Sequence, residues 1–184
     1  MKIWKLVEDV NNYAVLALKD EDNILNFSDQ FNKNSELKDE WLVAEVKIFK
    51  NDDKKQVGDF FDIITGVWAF NENALKLIKD YIADGKSEVL PLKGEEEPYY
   101  LLNVFNYVDC IDVDKSQVRY FRNSDRVMSI SNYVFKPNML NGEHIFKSTL
   151  QKRGPIFISD ELKEKLEKSG LKGFRFDEAW DSEK

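Results

Sequence analysis

The stretch GPIFISDELKEKLEKSGLKGFRFDEAWD, Gly154–Asp181, reads as strand, capped helix, glycine stop and strand, and its reading decides the fold class. Ser159 can accept hydrogen bonds from the free N–H groups of a first helical turn, and Asp160 and Glu161 stand where the positive end of a helix dipole favours anions. Gly170 sits where the chain must turn left-handed to leave the helix. Phe174 and Phe176 then alternate with Arg175 and Asp177, the period of a half-buried strand.

An echo of this unit lies upstream. Val67–Phe70, then Asn71 as a cap, then a helix, Gly85 and a strand follow the same plan. Ala74, Leu75, Ile78, Tyr81 and Ile82 fall at the i, i+3, i+4, i+7, i+8 spacing of an amphipathic helix. The expected helices are therefore about 71–84 and 160–169, with a strand–helix–strand pseudo-repeat. If the repeat holds, two related half-structures each set one helix against a sheet.

Around these units the pattern is mostly short strands. Residues 2–7 and 13–18, split by Asn11-Asn12, suggest a hairpin. Residues 41–49 alternate as a strand, and 51–55 form a charged turn. Further strands are expected at 88–92, 99–107, 118–121, 127–135 and 144–148, broken by turn residues. Asp20 to Asp39 is polar and asparagine-rich and reads as a long loop. The fold class is α+β, mainly antiparallel, with about eight strands and two main helices. A single domain over 1–184 is expected, with lobes at 1–93 and 94–184 as the alternative division.

Composition narrows the function classes. The chain has 184 residues, 42% hydrophobic and 13% aromatic, enough for a sizeable core. Thirty-four acidic residues against 27 basic ones give a net charge of −7. That balance argues against nucleic acid, which demands a clustered positive surface. It suits a basic protein partner, with Glu95, Glu96 and Glu97 and the tail residues Asp177, Glu178, Trp180 and Asp181 as the contacts. Trp4, Trp41 and Trp68 fall in expected strands and read as core residues. The beginning of the sequence forms no signal-peptide core, and no apolar run reaches the roughly twenty residues that span a bilayer. A cytoplasmic location, without membrane contact, is expected.

Motifs for catalysis are missing. Cys110 is the single cysteine and reads as a buried, inert thiol. His144 is the single histidine, so any Ser-His-Asp or Cys-His system would have to use it. Asp109, Asp112 and Asp114 could offer oxygen ligands to a hard cation, but the loop lacks the dense alternation and turn glycine of a calcium loop, and turn-forming aspartates are the preferred reading. No catalytic residue, cofactor or metal is expected.

Five pieces, in order, carry a family resemblance: Tyr100–Val104; Asp109-Cys110-Ile111-Asp112 with Ser116; His144–Lys147; Ile156–Leu162; and Gly170–Phe176. Mainly over residues 99–178 the chain resembles a family of bacterial immunity proteins, the antidotes of polymorphic toxin systems. The resemblance implies a non-enzymatic protein that binds a cognate toxin domain stoichiometrically and blocks it; a basic, nuclease-like toxin would suit the charge. The motif residues Asp109, Asp112, Ser116, Ser159, Gly170 and Gly173 look structural, as turn, cap and stop positions. The rival readings are a scaffold or regulatory protein-binding domain and an enzyme that uses paired carboxylates.

Overall fold

A computed structural model of the protein describes residues 1–20, 24–33, 35–50, 55–82 and 85–184. In chain order the elements are β1 (Lys2–Glu8), β2 (Val15–Leu18), α1 (Ile24–Gln30), β3 (Val46–Phe49), β4 (Phe60–Ile64), β5 (Val67–Phe70), α2 (Glu72–Ile78), β6 (Ser87–Lys93), β7 (Pro98–Val104), β8 (Tyr107–Val108), β9 (Gln117–Tyr120), β10 (Val127–Asn132), β11 (Ile145–Ser148), β12 (Phe157–Ser159), α3 (Asp160–Lys168) and β13 (Phe174–Asp181). Single 3-10 turns follow α1 and α2 and recur at 137–139 and 149–151.

A five-stranded sheet runs β13-β1-β12-β11-β8 and a four-stranded sheet runs β4-β5-β7-β6. Every pairing in them is antiparallel except β11 with β8. Two ribbons, β2-β3 and β9-β10, complete the set. The class is α+β and mainly antiparallel, as expected, but among the described residues there are thirteen strands rather than about eight and a third helix. That helix, α1, lies inside the stretch read as a long loop. Its one buried apolar side chain, Phe27, packs against Phe31 one turn on and against distant Trp41, so a local aromatic pair and a tertiary contact together hold a helix too short to stand alone.

The strand–helix–strand echo holds as topology. In β5-α2-β6 the two strands flanking the helix both pair with β7; in β12-α3-β13 they both pair with β1. Each unit is a split β-α-β with a foreign strand in its gap. Asn71 caps α2, its Oδ1 accepting from Ala74 N–H at 3.1 Å, and Ser159 caps α3, accepting from Leu162 N–H at 3.2 Å. Helix α2 is shorter than expected, ending at Ile78 and tightening into a 3-10 turn at 79–81; residues 83–84 of the expected helix lie outside the described residues.

Insertion of β1 between β12 and β13 overturns the expected hairpin of residues 2–7 with 13–18. β1 pairs Ile3 with Ser159 and Trp180, while β2 pairs with β3. The apolar faces of these two strands are claimed by different sheets. Strand β3 is also shorter than 41–49, and Lys55 is the one residue of the expected turn at 51–55 that is described.

Alternation distributes the core. Phe60, Trp68, Phe70, Leu102 and Val104 of the four-stranded sheet meet Leu6, Ile145 and Ile158 of the five-stranded sheet around Ala74 and Ile78 of α2 and Leu162 and Leu166 of α3. The opposite face of the four-stranded sheet packs Phe61, Leu90 and Leu101 against Leu16, Leu18, Val46 and Phe27. The opposite face of the five-stranded sheet packs Ile3, Phe146 and Phe157 against Cys110, Ile111 and Phe135. Of the tryptophans expected in the core, only Trp68 is fully buried. Trp4 is half-buried and donates to Asp160 at 2.7 Å, and Trp41, outside any strand, donates to the Pro91 carbonyl at 2.9 Å.

Asp59 ties the two split units together. Its carboxylate accepts from the Asn71 side chain at 2.8 Å and from Lys172 N–H at 2.7 Å, one at each helix. Beside it Gly58 and Gly173 touch: a Cβ on Gly173, at φ +94°, would stand 2.8 Å from the Gly58 Cα. Asp59→Ala is expected to lower unfolding free energy by about 1–3 kcal/mol, and Gly173→Ala by about 1–3 kcal/mol, each read from the urea midpoint at unchanged slope.

Candidate functional site

The turn joining β6 to β7 carries Glu95, Glu96 and Glu97, all exposed. They rim a cleft of about 590 Å³ whose walls include Val46, Ile48, Val57 and Tyr99. Glu95 lies 3.5 Å from Lys19, and Glu97 accepts from the Tyr99 hydroxyl at 3.0 Å. Desolvation, with help from Glu97, pushes the Tyr99 phenol well above its ordinary range, so it stays a neutral donor. Phe49, in β3, and Val57 are exposed apolar residues. An anionic rim beside apolar surface is an arrangement that takes a partner with basic and apolar side chains.

The other expected contacts sit on a different sheet, along β13. Glu178 pairs with Lys2 at 3.4 Å and Lys184 at 2.5 Å. Asp181 is buried; it accepts from Glu183 N–H at 3.1 Å and lies 3.4 Å from Lys2, and these contacts hold its carboxyl below the usual range. Asp177 pairs with Arg175, and half-buried Trp180 packs against Phe135 with ring centres 5.8 Å apart. This acidic segment is a sheet-edge strand whose charges are largely matched within the chain.

Of the residues read as motif positions, Asp112 and Ser159 make turn and cap hydrogen bonds. Asp112 closes its own turn by accepting from Lys115 N–H at 3.3 Å, and Ser116 Oγ accepts from Val134 N–H at 2.9 Å while donating to the Val134 carbonyl. Asp109 faces Lys136 at 3.4 Å. Ser159 Oγ lies 2.9 Å from His144 Nδ1, but it is also the α3 cap, and Glu143, beside His144 in sequence, is engaged by Lys86 and Asn106. Burial pushes the Cys110 thiol up to about 12, far from a reactive thiolate. Among the described residues no group of three or more His, Cys, Asp and Glu could hold a metal ion.

Three features escaped sequence reading. The β9-β10 ribbon and its turn carry Arg119, Arg122 and Arg126 with exposed Tyr120, Phe121 and Met128, a basic and aromatic surface hidden by the net charge. A groove of about 800 Å³ runs past α1, edged by exposed Leu42 and Val43. The third is a set of charges at the margin of the shared core. Glu8 and Asp62 follow Leu6 and Phe60 by two residues, and Lys147 follows Ile145 by two, so alternation aims all three at the apolar interior. A charged residue at an inward position of an apolar strand was the signal available in FFDII and HIFKS.

Burial raises the Glu8 carboxyl to about 7, although Asp62 N–H donates to it, and raises Asp62 to about 6 against the pull of Lys147. Glu8 Oε1 and Asp62 Oδ1 lack hydrogen-bond partners among the described residues. Unfolding frees both carboxyls to ionise near 4.5 and 3.8. The unfolded chain therefore sheds these protons first, and the stability that these two groups contribute falls as pH rises from about 4 to 7. Glu8→Gln should exceed the parent by about 1 kcal/mol at pH 7.5, a figure reduced for partial exposure, with the gap closing below pH 4.5; denaturation across that range reads it.

Residues 89–181, just over half of the chain, match the model of the immunity protein family (Imm11). A search of the curated proteins finds no match.

Proposed function

The chain belongs to the immunity protein family Imm11, and from that premise we propose that it binds a cognate bacterial toxin domain one to one and neutralises it by occlusion, without chemistry of its own. The family match over β6–β13 and α3 carries the reading. The chain is proposed to act as one unit in the cytoplasm, where a toxin made by the same cell would have to be held inactive. A basic, nuclease-like toxin suits the acidic rim, because side chains that hold phosphates would find carboxylates in their place and opposite charge would speed encounter.

Of the two acidic groups proposed as contacts, the Glu95–Glu97 rim has the freer charge. Glu178 and Asp181 already answer Lys2, so their part in binding is expected to be smaller and their part in stability larger.

Co-expression with the C-terminal domain of a neighbouring toxin-like gene tests the proposal, read as survival and a co-purifying complex. Rescue with a one-to-one complex is expected; toxicity unchanged with no complex would overturn it. Replacing Glu95, Glu96 and Glu97 together by Lys should slow association about tenfold or more at low salt and flatten its salt dependence, whereas Asp181→Asn should lower the melting temperature and leave the association rate close to the parent's. Association unaffected by the triple reversal would remove the charge argument while leaving immunity standing.

A further inference from the structure

We propose that a cavity of about 430 Å³ between α1, the β4-β5 turn and the segment after β11 is a binding site for a small oxyanion, a phosphate or carboxylate group carried by a free small molecule. Three cations line it: Lys147, Lys152 and Arg153. The hydroxyl residues Ser28 and Thr65 share the lining, with Phe31, Ile64 and Val67 as apolar wall.

Lys147 is the observation that asks for an anion. It sits in a strand buried at every position and is itself only 5% exposed. Among the described residues no carboxylate lies within ion-pair distance of its ammonium, and Asp62 is the one charge that acts on it. Asp62 attracts it only from a distance, and desolvation outweighs that attraction, bringing the ammonium down to about 8. It is still cationic at neutral pH. A buried cation without a close counter-charge is costly, and an anion brought to it would relieve that cost.

The surroundings are shaped for access to this group. Gly66, at φ +76°, lies against it: a Cβ there would stand 3.3 Å from Lys147 Nζ and 2.4 Å from the Gly154 carbonyl oxygen. Any other residue would press on the ammonium and the neighbouring turn. The same turn presents Lys152 and Arg153, both exposed, at the rim. The Lys152 ammonium lies over the Tyr107 ring, 5.3 Å from its centre. The result is one buried cation at the wall and two solvated cations at the mouth, with the hydroxyl residues Ser28 and Thr65 in the same lining. Such a volume fits a small organic anion, and the guanidinium geometry of Arg153 favours a planar or tetrahedral oxyanion. The site is distinct from the Glu95–Glu97 rim, and the proposal does not depend on the toxin-binding reading.

Titration calorimetry of the full chain with inorganic phosphate, and separately with citrate, against sodium chloride at matched ionic strength tests it. Saturable binding of one or both is expected, and which of the two binds identifies the oxyanion. The exposed pair Lys152→Gln with Arg153→Gln should weaken that binding about tenfold or more, and Lys147→Met should abolish it. Should Lys147→Met fail to fold, the exposed pair decides alone. Heat no different from chloride for both anions, or affinity unchanged in the exposed pair, would overturn the proposal. So would heat seen only with a bound protein partner, which would mean that the cavity receives a partner's carboxylate rather than a free ligand.

Discussion

Each split β-α-β unit leaves a slot one strand wide between the strands that flank its helix, and the backbone groups facing that slot must find partners because the helix covers them from water. Strand β7 fills the slot between β5 and β6, and β1 fills the slot between β12 and β13. The second filling strand comes from the far end of the chain, joining Lys2 to Asp181. The segment matched by the family contains β7, β12, α3 and β13 but neither β1 nor β5 and α2. Its sheet therefore closes only with residues outside the match.

Filling both slots brings α2 and α3 into one core, and this sharing explains where the awkward charges lie. The sheets meet along Phe60, Leu6 and Ile145, and one step further along the same strands stand Asp62, Glu8 and Lys147. The apolar stripe runs out at the margin of the core, while the strands continue inward-facing. The charges left there are too buried to be fully solvated and too far apart to pair closely, which makes that margin the place where a ligand could gain most.

The outer surface separates charge by structural element. Acid gathers on the β6-β7 turn, base on the β9-β10 ribbon and at the mouth of the cavity after β11. A net charge of −7 averages over these regions. Recognition responds instead to the local field within about a Debye length, roughly 8–10 Å, so the acidic rim and the basic ribbon can address different partner chemistry on one molecule.

The sequence by itself determined the two helix-centred units, because caps, glycine stops and periodicity act within a few residues: Asn71, Ser159 and Gly170 each work on their own turn. It also determined the inert setting of Cys110, and the order of its short motifs pointed to the family. Tertiary structure alone decided that β1 leaves β2 for β12 and β13, since strand partners are chosen by distant apolar faces that no local pattern encodes. It decided that Phe27 anchors α1 in a polar stretch, by bringing Trp41 against the local Phe27–Phe31 pair. And it decided which charges are free: Glu95–Glu97 and Asp177–Asp181 are equally acidic as text, but only the folded chain sets Lys2 beside Glu178 and Asp181, because the pairing of β1 with β13 carries it there.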